Sequence, residues 1–184
     1  MPMHPNQERS YVISFDDLNV ELLARVRDAI VADPAKFDMA AVIHSTDDDL
    51  DYAMWTEFHA TDLTHGCDTA ACIAGWALAL STAPGTTVGS VRHRDENWMT
   101  AFGRLSGMQT HPDDLTIPLC FREEWPSWAA PSGAGFFSNN SGIIISLDEH
   151  DTAVLLLDLI LDRRNPWHMT GLEVMAWRAA RLVP

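Results

Sequence analysis

The segment Cys67-Asp-Thr-Ala-Ala-Cys-Ile-Ala-Gly-Trp-Ala-Leu-Ala-Leu80 carries no charge after Asp68, so the fold must bury it on nearly every side. Asp68 or Thr69 can accept backbone hydrogen bonds at a helix start, and the predicted helix runs to about Ser81, ahead of Pro84-Gly85. Ala71, Gly75 and Ala79 fall four apart. Such a stripe of small side chains predicts close approach by another helix and accounts for a glycine inside this one. Ile73, Trp76 and Leu80 mark the adjoining apolar face, and the helix is expected at the centre of the molecule.

The remaining periodicity is also helical. From Asp16 onward Leu18, Leu22, Leu23, Val26, Ala29 and Ile30 recur at steps of three and four, and Pro34 ends that helix. Phe37, Met39 and Val42 form a shorter apolar patch expected to pack back on it. A further helix is predicted over about Asp95 to Leu105, with Gly107 closing it. Ser146 with Glu149, and Thr170 with Glu173, read as capping boxes. The first opens a buried helix rich in Leu155, Leu156, Leu159 and Ile160, and the second a helix through Leu172, Met175, Trp177 and Leu182. Short strands are allowed at Tyr11 to Phe15 and Gly142 to Ile145. Residues 108 to 130, interrupted by Pro112 and Pro118, read as a short helix or irregular turns.

The expected fold is therefore mainly α: a compact single-domain helical bundle with at most a few short strands. Residues 1–10 are a loose N-terminus and 11–184 one domain, with a surface excursion at about 45–66 and a Gly/Ser/Pro loop at about 129–142. At 184 residues and 47% apolar, the chain is long enough to bury a core.

Charge excludes several functional classes. Twenty-six acidic against twelve basic side chains give −14, which repels phosphate backbones and anionic lipid. Nucleic acid is disfavoured except by mimicry, and no stretch approaches a membrane span. The N-terminal residues lack a secretory pattern, and three cysteines are too few for a disulfide framework. The expected location is the cytoplasm, and no cofactor is expected.

The wording Cys67-Asp-Thr-Ala-Ala-Cys-Ile-Ala-Gly-Trp76 resembles the signature Cys-Gly-Thr-x-x-Cys-Ile-Ala-Gly-Trp/His of a family of small uncharacterised proteins from bacterial and phage genomes. The resemblance extends to Leu22 through Met39 and, more faintly, to Leu105 and Trp125-Pro126. Asp68 stands where the family has glycine. The resemblance implies a fold type and a phage or mobile-element origin, and no activity.

Three chemistries fit the motif. Cys67, just ahead of a helix N-terminus, has the position of an activated nucleophile. Its base would come from His44, His59, His93, His111, His150 or His168, and the adjacent Asp68 opposes thiolate formation. His65, Cys67 and Cys72 supply zinc-type ligands, with Cys120 or a distant histidine as a fourth, although a C-x4-C pair lacks the tight turn of a C-x2-C knuckle. The architectural reading makes Cys72 a small buried hydrophobe beside Trp76, Cys67 a space-filler, and Asp68 and Thr69 caps. We favour the last.

For binding, Asp47, Asp48, Asp49 and Asp51 form an acidic loop without the glycine and terminal glutamate of an EF-hand. Trp125 and Trp128 flank Pro126 as an aromatic patch, either exposed to a partner or covering the core. The expected function is that of a small acidic interaction protein whose protein partner is basic. The alternatives are a hydrolase-like enzyme using Cys67 and a zinc-binding protein.

Overall fold

A computed structural model describes residues 11–39, 42–45, 55–65, 69–111, 116–129, 145 and 147–182. Among these residues the chain is mainly helical, with α1 (Val20–Ala32), α2 (Ala60–His65), α3 (Ile73–Leu80), α4 (Trp98–Ser106), α5 (Glu149–Leu161) and α6 (Gly171–Arg181). Two short strands, β1 (Ile43–Ser45) and β2 (Thr69–Ala71), pair antiparallel.

α1 buries Leu22, Leu23, Val26 and Ile30, the face its spacing defines. It packs against α5 on one side and α3 on the other, and α3 in turn packs on α4. Asn19 starts α1 by accepting from Leu22 N at 3.0 Å. The same residue ends α4: its side-chain amide donates to Leu105 O at 3.1 Å and its backbone N–H to Ser106 O at 2.8 Å. One asparagine therefore satisfies groups at two helix termini that would otherwise lack partners. Gly107 follows α4 at φ 75°, where a Cβ would stand 1.9 Å from Asp17 O. Both the left-handed turn and the close approach require glycine there.

Residues 69–72 depart most from the expectation. They are not the first turn of a helix. Thr69–Ala71 form β2, with Ile43 opposite Ala71 and Ser45 opposite Thr69. The ladder takes up backbone groups that a helix start would have left open, and Cys72 N–H donates to Val42 O at 3.3 Å. The helix begins at Ile73, so Cys72, not Asp68 or Thr69, occupies the N-cap position. α3 is central as expected, with every residue from Ile73 to Ala79 buried. Its glycine, however, receives backbone where the stripe had predicted a helix: a Cβ on Gly75 would lie 1.8 Å from Val42 O.

The excursion at 45–66 is structured where it is described. Trp55–Glu57 form a 3-10 turn and α2 follows, started by His59 N–H donating to Asp62 at 2.7 Å. Leu63 enters the core and Val88 N–H donates to Phe58 O at 2.7 Å, so this half of the excursion docks on the body. Tyr11 to Ser14 form no strand. Instead Tyr11 is buried, with its ring edge-on to Trp167 at 5.0 Å and its carbonyl accepting from Asn165 at 2.6 Å. The region after α4 resolves into 3-10 turns at Pro118–Cys120, Arg122–Glu124 and Ser127–Ala129.

Both C-terminal helices form, with different starts. Asp148 caps α5, accepting from Asp151 N at 2.7 Å, so Glu149 is the first helical residue and cannot close a box from Ser146. Ser146 and residues 142–144 lie outside the described residues. α6 opens with the predicted reciprocal box, Thr170 with Glu173. Among the described residues no helix is long and apolar enough to cross a membrane.

Candidate functional site

The thiols that the structure describes meet at one cleft. Cys72 stands at the head of α3 and Cys120 in the Pro118–Cys120 turn; both line a cavity of about 460 Å³ together with Asp38, Trp98, Arg122 and Glu149. Trp98, at the first position of α4, leans on Phe121 with ring centroids 5.8 Å apart. Glu149 closes the rim, accepting from Met39 N–H at 2.9 Å and from Arg122 at 2.8 Å. Glu149 thus ties the start of α5 to two loops.

The electrostatics hold both thiols neutral. Burial pushes Cys72 up to about 11, outweighing the downward pull of the Ala74 and Gly75 amides, and Asp38 adds to the rise. Burial likewise raises Cys120, with Cys72 as a second cause. The dipole argument for activation applies to Cys72, because that residue and not Cys67 precedes the helix, and there desolvation wins.

No histidine described here faces these sulfurs in the cleft lining. His150 Nε2 lies 3.0 Å from Ile30 O and its Nδ1 3.1 Å from Asp151. His111 is buried, while His59, His93 and His168 are exposed. Cys67, Asp68 and the acidic set Asp47, Asp48, Asp49 and Asp51 lie outside the described residues, as do the side chains of His44 and His65. Thr69, Gly75 and Trp76 are buried parts of β2 and α3.

For metal ligation, one group of three emerges among the described residues: Asp148, His150 and Asp151. Its members already serve the fold. Asp148 caps α5, and His150 sits between Asp151 and Ile30 O. The cluster is the wiring of a helix start.

For Trp125 and Trp128 burial decides between the two readings. Trp125 and Trp128 are 7% and 4% exposed, and their indole N–H groups donate to Leu119 O at 3.2 Å and Pro166 O at 3.0 Å. They cover the core beneath the loop and offer no surface to a partner, because satisfied indoles in a packed interior gain more by staying there.

An accessible apolar surface lies instead on α6. Only Gly171 and Val174 of this helix are buried, while Leu172 is 63%, Met175 47% and the capping Leu182 82% exposed. Leu172, Met175 and Ala179 follow one another at steps of three and four, which places these exposed residues on a single stripe away from the buried Val174, whereas Leu182, at the C-cap, borders the groove between α6 and α5. Trp177 anchors the inner side, donating to Asp162 at 2.6 Å, with Arg181 over its ring at 4.7 Å. That indole hydrogen bond, followed by the one from Arg164, holds the Asp162 carboxyl below its usual range. A groove of about 400 Å³ runs beside α6, floored by Val154 and Leu155 and flanked by Arg27, Asp158, Arg178 and Arg181. The signal for this surface was present in the sequence as the interval pattern, but spacing alone does not say which stripe of an amphipathic helix meets its own body.

No family model matches the chain, and the searches of curated proteins and solved structures likewise return no match.

Proposed function

We propose that this chain is a protein-interaction module that docks through the outer stripe of α6. The observation that carries the proposal is the exposure of Leu172 and Met175 on one face of a helix whose opposite side holds it to the body through Val174 and Trp177. Burying such side chains stabilises a complex by roughly 1.5–3 kcal/mol each before the cost of association. The buried, neutral thiols of Cys72 and Cys120 are not themselves nucleophiles, and the hydrolase-like alternative rests on Cys67 alone.

Charge narrows the partner. At −14 the chain as a whole attracts a basic partner and repels an acidic one at long range, while Arg178 and Arg181 beside α6 favour acidic groups at the contact itself. The phage or mobile-element setting implied by the resemblance at residues 67–76 belongs to this proposal.

A photo-crosslinking amino acid in place of Met175 tests it in the native cellular setting. The expected result is a discrete protein adduct that Leu172→Glu abolishes while Arg94→Glu, at a residue 96% exposed, leaves it intact. Absence of any adduct, or an adduct indifferent to Leu172→Glu, overturns the reading.

A further inference from the structure

We infer that the cleft lined by Cys72, Cys120 and Trp98 is a binding site for a small organic cation, an ammonium group carried on an apolar body. The cleft shares no lining residue with the groove beside α6, so this site stands or falls independently of the interaction function proposed above.

The first argument is construction. Five separate segments converge here: the loop around Asp38, the head of α3, the start of α4, the turns at 120–123 and the start of α5. At about 460 Å³ the cleft falls within the range of small-molecule pockets, roughly 300–1,000 Å³. Met39, Val42 and the two neutral thiols give it a soft, polarisable lining that accepts an apolar body.

The second argument is the groups that the fold leaves open along this lining. Trp125, Trp128, Trp167 and Trp177 each donate an indole hydrogen bond within the fold. Half-buried Trp98 makes none among the described residues and is held instead by the Phe121 ring, 5.8 Å away and inclined at 48°. The Cys120 side chain also has no hydrogen-bond partner among the described residues, although that residue is only 5% exposed. Burial without a partner is uncommon for a polar group, and a ligand seated in the cleft supplies the missing contacts.

The third argument is charge. Asp38, Glu123 and Glu149 line the cleft against Arg122 alone, three carboxylates to one guanidinium. Glu149 and Arg122 neutralise each other at 2.8 Å, and the remaining excess is negative, which attracts a cation and repels an anion. The face of an indole attracts the same charge, and tryptophan is the strongest of the aromatic side chains in this respect. A metal ion is disfavoured, because among the described residues no three ligand atoms from His, Cys, Asp or Glu converge in this cleft.

The isotope-labelled full chain is titrated with phenethylammonium, its neutral counterpart phenylethanol and the anion phenylpropionate, followed by amide and indole chemical shifts. Phenethylammonium is expected to move the Trp98 indole and the amides of residues 120–123 with a dissociation constant on the order of 1 mM, the scale for so small a ligand. Phenylethanol should bind about tenfold more weakly, and phenylpropionate more weakly still. Trp98→Leu should weaken phenethylammonium about tenfold. Because that change also removes the contact with Phe121, two exposed rim residues carry an independent test of opposite sign: Glu123→Gln should weaken binding about threefold and Arg122→Gln should tighten it about threefold, both with an unchanged circular-dichroism spectrum. Absence of localised shifts with phenethylammonium at tens of millimolar overturns the inference. So does phenylethanol or phenylpropionate binding as tightly as the cation, or an Arg122→Gln chain that binds the cation less well.

Discussion

Gly75 shows how a single side chain can control the placement of an element. Its missing Cβ leaves room for Val42 O, and a methyl group there would lie 1.8 Å from that backbone oxygen and 2.8 Å from Ala71 Cβ. Backbone held by the β1–β2 ladder does not yield cheaply, so Gly75→Ala should destabilise the fold by about 2–4 kcal/mol despite alanine's better helix propensity. Thermal unfolding checks this, with a lower midpoint expected. Cys72 and Cys120 make a second prediction. In a Cys67→Ser chain, no thiol should react with Ellman's reagent at pH 8 under native conditions, and both should react after denaturation. Glu96 carries the third. Hydrogen bonds from Arg104, at 2.9 and 3.0 Å, are the largest cause that brings its carboxyl down to about 2 from 4.5; His93 N–H assists and burial opposes. Because the folded value lies below the unfolded one, this stabilisation is complete above about pH 4.5 and is lost as pH falls toward 2. Glu96→Gln should flatten the stability profile across that interval while lowering stability at pH 7 by about 1 kcal/mol, the scale of a partly screened pair. Urea titrations at several pH values would show it.

Among the elements, α6 depends most on its own ends. The Thr170–Glu173 box supplies the partners of its first turn, Arg178 and Arg181 complement its last, and Val174 is the one large side chain it fully buries. Thr170→Ala should cost about 1 kcal/mol, felt first as faster amide exchange in 171–181 and with little change in α1, α3 or α5; equal acceleration throughout would mean that α6 opens only with the whole fold. This box was legible in the sequence because its hydrogen bonds are local. The start of α3 was not: Thr69–Ala71 pair with Ile43–Ser45, and that long-range ladder overrides the capping chemistry of Asp68 and Thr69. The same limit applied at α5, where Asp148 caps and Glu149 reaches across to Met39 and Arg122.

At the scale of the whole molecule, a net charge of −14 sets up self-repulsion that ordinary salt screens within about 10 Å. Stability should rise between low salt and about 0.2 M sodium chloride, measured by chemical denaturation; a fall would show that ion pairs such as Arg27–Asp158 and Arg104–Glu96 outweigh the excess of like charge. The helical class, the burial of α3 and α5, and the capping of α6 follow from residue order alone, since periodicity and caps act over three or four positions. Which surface was left to bind was a tertiary matter. Trp125 and Trp128 point inward because Leu119 O and Pro166 O await their indoles, whereas Leu172 and Met175 point outward because Val174 and Trp177 already hold their helix to the body. An amphipathic pattern fixes a stripe's position around the helix axis; only the packing of distant segments decides which stripe is covered.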